Sequence, residues 1–193
     1  ARLALENQKA QKEIAKKGAI VPLITIVKQL EGDQVDEMEA REYAAAALSD
    51  LAYVPANRDE IVTSGGIEPL VALLHEGDTM AKKFAAAALA RLATNHQPNA
   101  AEIAKVGAIE PLVRLCEGEF GDAAQEEAAG ALFALADDDG NRVSITASNG
   151  IGPLVSLLGS SNFRARKHAE GALVRLSIES ENRAIIIKKL VGM

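Results

Sequence analysis

Apolar positions recur along this chain at i, i+3, i+4 and i+7, the spacing of one helix face, first as Ile20, Leu23, Ile24 and Val27. The face returns as Ile67, Leu70, Val71 and Leu74, as Ile109, Leu112, Val113 and Cys116, and as Ile151, Leu154, Val155 and Leu158. Each copy begins in a short box: Gly18-Ala19-Ile20-Val21-Pro22-Leu23, Gly65-Gly66-Ile67-Glu68-Pro69-Leu70, Gly107-Ala108-Ile109-Glu110-Pro111-Leu112 and Asn149-Gly150-Ile151-Gly152-Pro153-Leu154. The prolines at 22, 69, 111 and 153 are spaced by 47, 42 and 42 residues, a period that predicts a solenoid of stacked units. Glycine permits a sharp change of direction between helices, and proline is tolerated in a first turn whose N–H has no partner in any case.

After each second helix and a short break, such as Glu76-Gly77-Asp78 or Gly159-Ser160-Ser161, comes an alanine-rich third helix. Its copies are 44–52, 85–93, 128–136 and 169–177; alanine favours helix and lets neighbouring helices approach closely. Asn57, Asn99, Asn141 and Asn182 follow, each four residues before an isoleucine, and are expected as N-caps of the short first helices. The expected layout is a single domain over 1–193. Residues 1–4 end a preceding repeat, and four repeats cover 5–53, 57–94, 99–136 and 141–178. A partial repeat at 181–193 closes the chain. An acidic insert at 32–38 lengthens the first repeat and is expected as an exposed loop or an added helical turn.

Two short helices bent at a Gly and a Pro-Leu box, followed by a long Ala-Leu helix, resemble the armadillo-repeat family; HEAT repeats are the nearest competitor. The resemblance covers nearly all of the chain and implies an all-α fold, a right-handed α-solenoid of armadillo repeats with three helices per repeat of about 42 residues. It also implies that the third helices line a concave groove where protein partners bind. Peptide-gripping members of the family resemble Ala-Ala-Trp-Ala-Leu-x-Asn-Leu in that helix. Here the Trp column holds Ala46, Ala87, Gly130 and Gly171, and the Asn column holds Asp50, Arg91, Ala134 and Arg175, so both ladders are replaced. One turn earlier stand Glu42, Lys83, Glu126 and Lys167, alternating in sign. These twelve positions are the candidate partner-binding residues. The alternation has two readings: a mixed-charge site for a charged partner, or solvated ion pairs between adjacent repeats contributing about 0–1 kcal/mol each.

Composition narrows the function. A formal net charge of −6 and a pI near 5.2 repel phosphate backbones, and 3% aromatic content with no Trp offers few stacking platforms, so nucleic acid is disfavoured. Apolar runs are too short and interrupted for a membrane span. One cysteine cannot form an internal disulfide, which favours a reducing compartment, cytoplasmic with nuclear also open. Cys116 falls in an apolar column and reads as core; His75, His96 and His168 lie on different elements without metal-ligand spacing. Asp137-Asp138-Asp139 are consecutive rather than alternate, unlike a calcium loop. Glu170, where the other repeats carry alanine, is expected to pair with Arg166 at i−4. No cofactor, metal site or catalytic group is expected. The expectation is a non-enzymatic interaction module for a protein or peptide. Head-to-tail self-association through exposed apolar ends (Leu3, Leu5, Ile185, Ile186, Ile187, Leu190, Val191) and an engineered or excised scaffold are the alternatives.

Overall fold

The computed structural model describes residues 2–28 and 35–192. Its described residues form thirteen α-helices and no strand. The helices fall into triplets: α1 (Arg2–Lys16), α2 (Ile20–Lys28) and α3 (Val35–Leu51); α4 (Pro55–Thr63), α5 (Ile67–Glu76) and α6 (Thr79–Ala93). Then come α7 (Gln97–Lys105), α8 (Ile109–Leu115) and α9 (Asp122–Leu135), followed by α10 (Asp139–Ala147), α11 (Ile151–Leu157) and α12 (Phe163–Leu176). A further first helix, α13 (Ser180–Val191), packs on α11 and α12.

The box works as a helix stop followed at once by a helix start. Gly65 (φ +75°) and Gly107 (φ +98°) lie in the left-handed region, and Asn149 (φ +60°) takes the same conformation in the last copy. The chain then closes a Schellman turn: the Gly66, Ala108 and Gly150 N–H groups donate to the carbonyls of Ile61, Ile103 and Ile145 at 2.9, 3.3 and 2.9 Å. The following isoleucine opens the second helix. Proline, two residues on, occupies a first-turn position whose N–H has no helical acceptor.

The stacking axis runs through the third helices, α3 against α6, α6 against α9, and α9 against α12. Ala44, Ala45, Ala85, Ala86, Ala128, Ala129, Ala165 and Ala169 are buried there and join one continuous core with Leu48, Leu89, Leu132 and Leu173. Ile20, Ile67, Ile109 and Ile151, the first residues of the second helices, are buried in the same core.

The asparagines are not N-caps. Val54, His96, Asp138 and Glu179 occupy the cap positions, and each asparagine stands three residues further in, buried. Each Nδ2 donates instead to the last turn of the preceding third helix: Asn57 to Leu51 O at 3.0 Å, Asn99 to Leu92 O at 2.9 Å, Asn141 to Leu135 O at 3.1 Å, Asn182 to Leu176 O at 3.1 Å. Asn57 and Asn141 also reach back one repeat, to Gln11 O at 3.3 Å and Ala100 O at 3.1 Å. Helix ends leave carbonyls without partners, and a side-chain amide brought from the next helix supplies the donor. Where a side chain does cap, Asp138 Oδ1 accepts from Asn141 N at 2.9 Å and His96 Nδ1 from Asn99 N at 3.2 Å.

Residues 35–38 of the acidic insert form the first turn of α3, while 32–34 lie outside the described residues. The side chains of Leu3 and Leu5 also lie outside them. α1 runs unbroken from Arg2 to Lys16.

Candidate third-helix groove

The twelve candidate residues lie on α3, α6, α9 and α12, but they do not form one uniform ladder. Ala87, Gly130 and Ala134 are buried between helices and form the floor; Asp50 and Lys167 are exposed; the rest are half-buried.

Two arginines in the Asn column repeat one manoeuvre. Arg91 on α6 reaches back to α3, where its guanidinium donates to Ser49 Oγ and, at 2.6 Å, to Tyr53 Oη, and lies 4.2 Å from the Tyr53 ring centroid. Arg175 on α12 reaches back to α9 in the same way: it donates to the Phe133 carbonyl, pairs with Asp137 at 2.8 Å and covers the Phe133 ring at 3.5 Å. Burial pulls the Arg175 pKa below the ordinary guanidinium value, with Asp137 opposing the shift. Ala134 on α9 has no side chain with which to reach α6, so the contact recurs every second repeat.

The Trp column is filled sideways. A Cβ on Gly171 would lie 2.7 Å from the Phe133 ring of α9, and one on Gly130 would lie 3.0 Å from His168 Nδ1 of α12, so each glycine makes room for a ring supplied by the adjoining third helix. Phe133 and His168 stack with centroids 6.4 Å apart and planes 13° from parallel. His168 Nδ1 lies 3.1 Å from the Glu126 carbonyl, within reach of a hydrogen bond from its Nδ1–H tautomer.

The alternating charge column does not pair along itself. Glu126 accepts from Asn162 at 2.8 Å and from Arg164 at 3.4 Å. Lys167 pairs with Glu170 at 2.8 Å. Glu170 is therefore held at i−3 and not by Arg166, which donates to the carbonyls of Ser160 and Ser161. Lys83 Nζ sits 4.1 Å from the Phe84 ring centroid with Met80 sulfur at 3.8 Å, and has no ion pair to a carboxylate among the described residues. Between α6 and α9 lies Glu127, a half-buried carboxyl outside the candidate columns. Burial raises its pKa above the usual carboxylate value, and Arg91 is the strongest of the nearby charges drawing it back.

Sequence reasoning did not pick out Tyr53, Phe84, Glu127, Phe133 or His168 as groove residues. They stand in columns adjacent to the two that the family pattern marks. The paired glycines at 130 and 171 were the available signal that rings from neighbouring columns fill the space.

Other candidates resolve into structural roles. Asp137 pairs with Arg175, Asp138 caps α10, and Asp139 pairs with Arg142 at 2.6 Å, so each member of the acidic run has its own partner. Among the described residues no group of His, Cys, Asp or Glu is arranged to hold a metal ion, and no helix is long and apolar enough to cross a membrane. Cys116 is buried, and its thiol pKa is pushed up to about 12 by desolvation.

These features define a class: an α-solenoid whose third helices stack side by side and expose a polar, ring-studded face. Residues 55–94 match the Armadillo/beta-catenin-like repeat, and the fold as a whole is that of an armadillo-repeat solenoid. An engineered protein of known structure is 30% identical over 88% of this chain at a TM-score of 0.76; the chain spans 40% of that protein's length. A computationally designed armadillo repeat protein for modular peptide recognition is 22% identical over 94% of this chain, with a TM-score of 0.81 and 74% of its own length covered. A designed armadillo repeat protein in complex with the peptide (KR)4 is 19% identical over 96% of this chain, with a TM-score of 0.78 and 76% of its length covered. No curated protein sequence matches the chain.

Proposed function

We propose that this chain is a non-catalytic protein-interaction scaffold that binds a partner protein or peptide along the concave face of α3, α6, α9 and α12. The contact surface is formed by Glu42, Ala46, Asp50, Lys83, Arg91, Glu126, Lys167, Gly171 and Arg175 over the floor of Ala87, Gly130 and Ala134. One observation carries the reading: the third-helix face holds Lys83 and Arg91 against aromatic rings, with no ion pair to a carboxylate among the described residues and Glu127 acting on them only beyond ion-pair distance, a surface prepared for polar ligands. The designed armadillo proteins that share this fold, one of them in complex with a peptide, support it. A cytoplasmic or nuclear setting fits the single buried cysteine.

The test is a pull-down from lysate with the wild-type chain and with a variant carrying Lys83→Ala, Arg91→Ala, Lys167→Ala and Arg175→Ala, its folding checked by circular dichroism. Partners captured by the wild type and lost by the folded variant support groove recognition; partners retained by both refute it. A second reading, an engineered scaffold without a native partner, is favoured by the engineered and designed origin of its structural relatives. Capture of no partner by either form supports that reading.

A further inference from the structure

On the edge formed by the second helices and the starts of the third, a cavity of about 50 Å3 lies between the second and third helix triplets, apart from all twelve candidate groove residues. Leu74, Leu115 and the half-buried Phe120 form its apolar wall. Three basic side chains from three helices meet there: His75 of α5, Lys82 of α6 and Arg114 of α8. Lys82 Nζ sits 5.2 Å from the Phe120 ring centroid. None of the three has an ion pair to a carboxylate among the described residues. The nearby acids Glu76, Glu117 and Glu119 do not line the cavity. Helix dipoles account for only part of this trio. His75 and Arg114 stand in last turns, where a cation is favoured, but Lys82 stands in the first turn of α6, where an anion is.

The same place one repeat further on carries different chemistry. There Glu117, Gln125 and Ser156 stand where His75, Lys82 and Arg114 do, around a cavity of about 430 Å3. One repeat earlier Ala72 holds the place of Arg114. An edge cavity is therefore general to the stacking, whereas the basic trio belongs to this one junction, in a chain of formal net charge −6. A space of about 50 Å3 exceeds the roughly 10–15 Å3 that one water needs and falls far short of the roughly 300 Å3 of a drug-sized ligand's pocket, so its occupant is a group of a few heavy atoms. A carboxylate offers two oxygens in one plane. A phosphate offers oxygens in three directions and up to two charges, which suits donors converging from three helices, and Arg114 can engage two of its oxygens at once. We infer that this junction binds the phosphate group of a phosphate monoester, a second ligand site on the edge of the solenoid that does not depend on the groove reading.

The experiment is a titration of the 15N-labelled full chain, followed by amide shifts at constant ionic strength, with inorganic phosphate and with end-capped Gly-phosphoSer-Gly and Gly-Asp-Gly. Both phosphate-bearing probes are expected to give saturable shifts around His75, Lys82, Arg114 and Phe120, and the phosphopeptide to bind about tenfold tighter than the Asp peptide. A phosphopeptide affinity above that for inorganic phosphate shows recognition of the carrier as well, and an equal one shows recognition of the phosphate alone; both support the site. Lys82→Gln combined with Arg114→Ser, the residues of the next junction, is expected to lower both phosphate affinities about tenfold or more, with the circular dichroism of the parent retained. Arg114 is exposed and has no hydrogen bond or ion pair from its side chain among the described residues, so Arg114→Ser alone decides the matter should the double variant not fold, with a loss of about fivefold expected. The proposal is overturned by the absence of saturable shifts, by shifts elsewhere on the chain, or by equal binding of the Asp peptide and the phosphopeptide. Binding of inorganic phosphate without the phosphopeptide, or an unchanged phosphate affinity in a folded variant, overturns it as well.

Discussion

Replacing Asn141 by aspartate exchanges one NH2 for one oxygen at the junction of the third and fourth helix triplets, in a side chain only 4% exposed. Its Nδ2 donates to Leu135 O and Ala100 O, both at 3.1 Å. Leu135 O also accepts from Asp138 N at 3.2 Å, so losing the amide leaves that carbonyl partly satisfied. Asn141→Ala is therefore expected near the lower end for two buried bonds, about 2 kcal/mol. Asn141→Asp costs more, about 3–5 kcal/mol at neutral pH, because a buried carboxylate then faces two carbonyl oxygens at the negative end of α9, a penalty that its place in the first turn of α10 offsets only in part. Burial and carbonyl repulsion raise the folded-state pKa of the introduced carboxyl above its unfolded value near 3.9. The folded state then binds the proton more tightly, so the extra penalty grows as pH rises through that interval and vanishes below it. Urea unfolding followed at 222 nm, for both variants and the parent at pH 7 and pH 4, reads the differences. Stacked repeats are stabilised by their neighbours, so hydrogen exchange should show α10–α13 losing protection before α4–α6. A cost below about 0.5 kcal/mol for Asn141→Ala, or a cost of Asn141→Asp independent of pH, would refute the assignment of this asparagine as an inter-repeat clamp.

Further expectations concern the turn, the groove carboxyl and the thiol. Gly107 has φ +98° and open space around its missing Cβ, while Asn149 holds the equivalent place; Gly107→Asn should cost less than Gly107→Ala, whose penalty is about 1 kcal/mol, by thermal unfolding. Because burial raises the Glu127 pKa, its ionisation opposes folding as pH rises from the usual carboxylate range to that raised value; Glu127→Gln should stabilise the chain at pH 7 and have no such effect at pH 3, as urea midpoints would report. Cys116 should resist a thiol reagent in the folded protein and react promptly in guanidinium; equally fast reaction under both conditions would contradict its burial.

The solenoid was legible because its signals are local and repeated: a left-handed turn residue, a first-turn proline and an i, i+3, i+4, i+7 face recur in four copies. The asparagines show where such reading stops. A polar residue near the start of a short helix fits a cap by spacing alone. Its actual partners, the Leu135 and Ala100 carbonyls, are set by how one repeat lies on the last. The groove failed to read in the same manner. Columns carried over from the family marked Gly130 and Gly171, but the rings filling those places come from Phe133 and His168, in neighbouring columns on adjoining helices. Side-chain reach across repeats also decides that Glu126 turns to Arg164 and not along its own column.

The reach of Arg91 onto Ser49 and Tyr53, and of Arg175 onto Phe133 and Asp137, gives the array a grammar of doublets. Excising the third triplet alone would bring Arg175 against Ala90 and Thr94, which offer neither a ring nor a carboxylate. Removing or duplicating two consecutive triplets leaves every remaining arginine facing one of the two ring-bearing landing sites, Ser49–Tyr53 or Phe133–Asp137. Lengthening or shortening this chain therefore has a natural quantum of two repeats, although the sequence advertises a period of one.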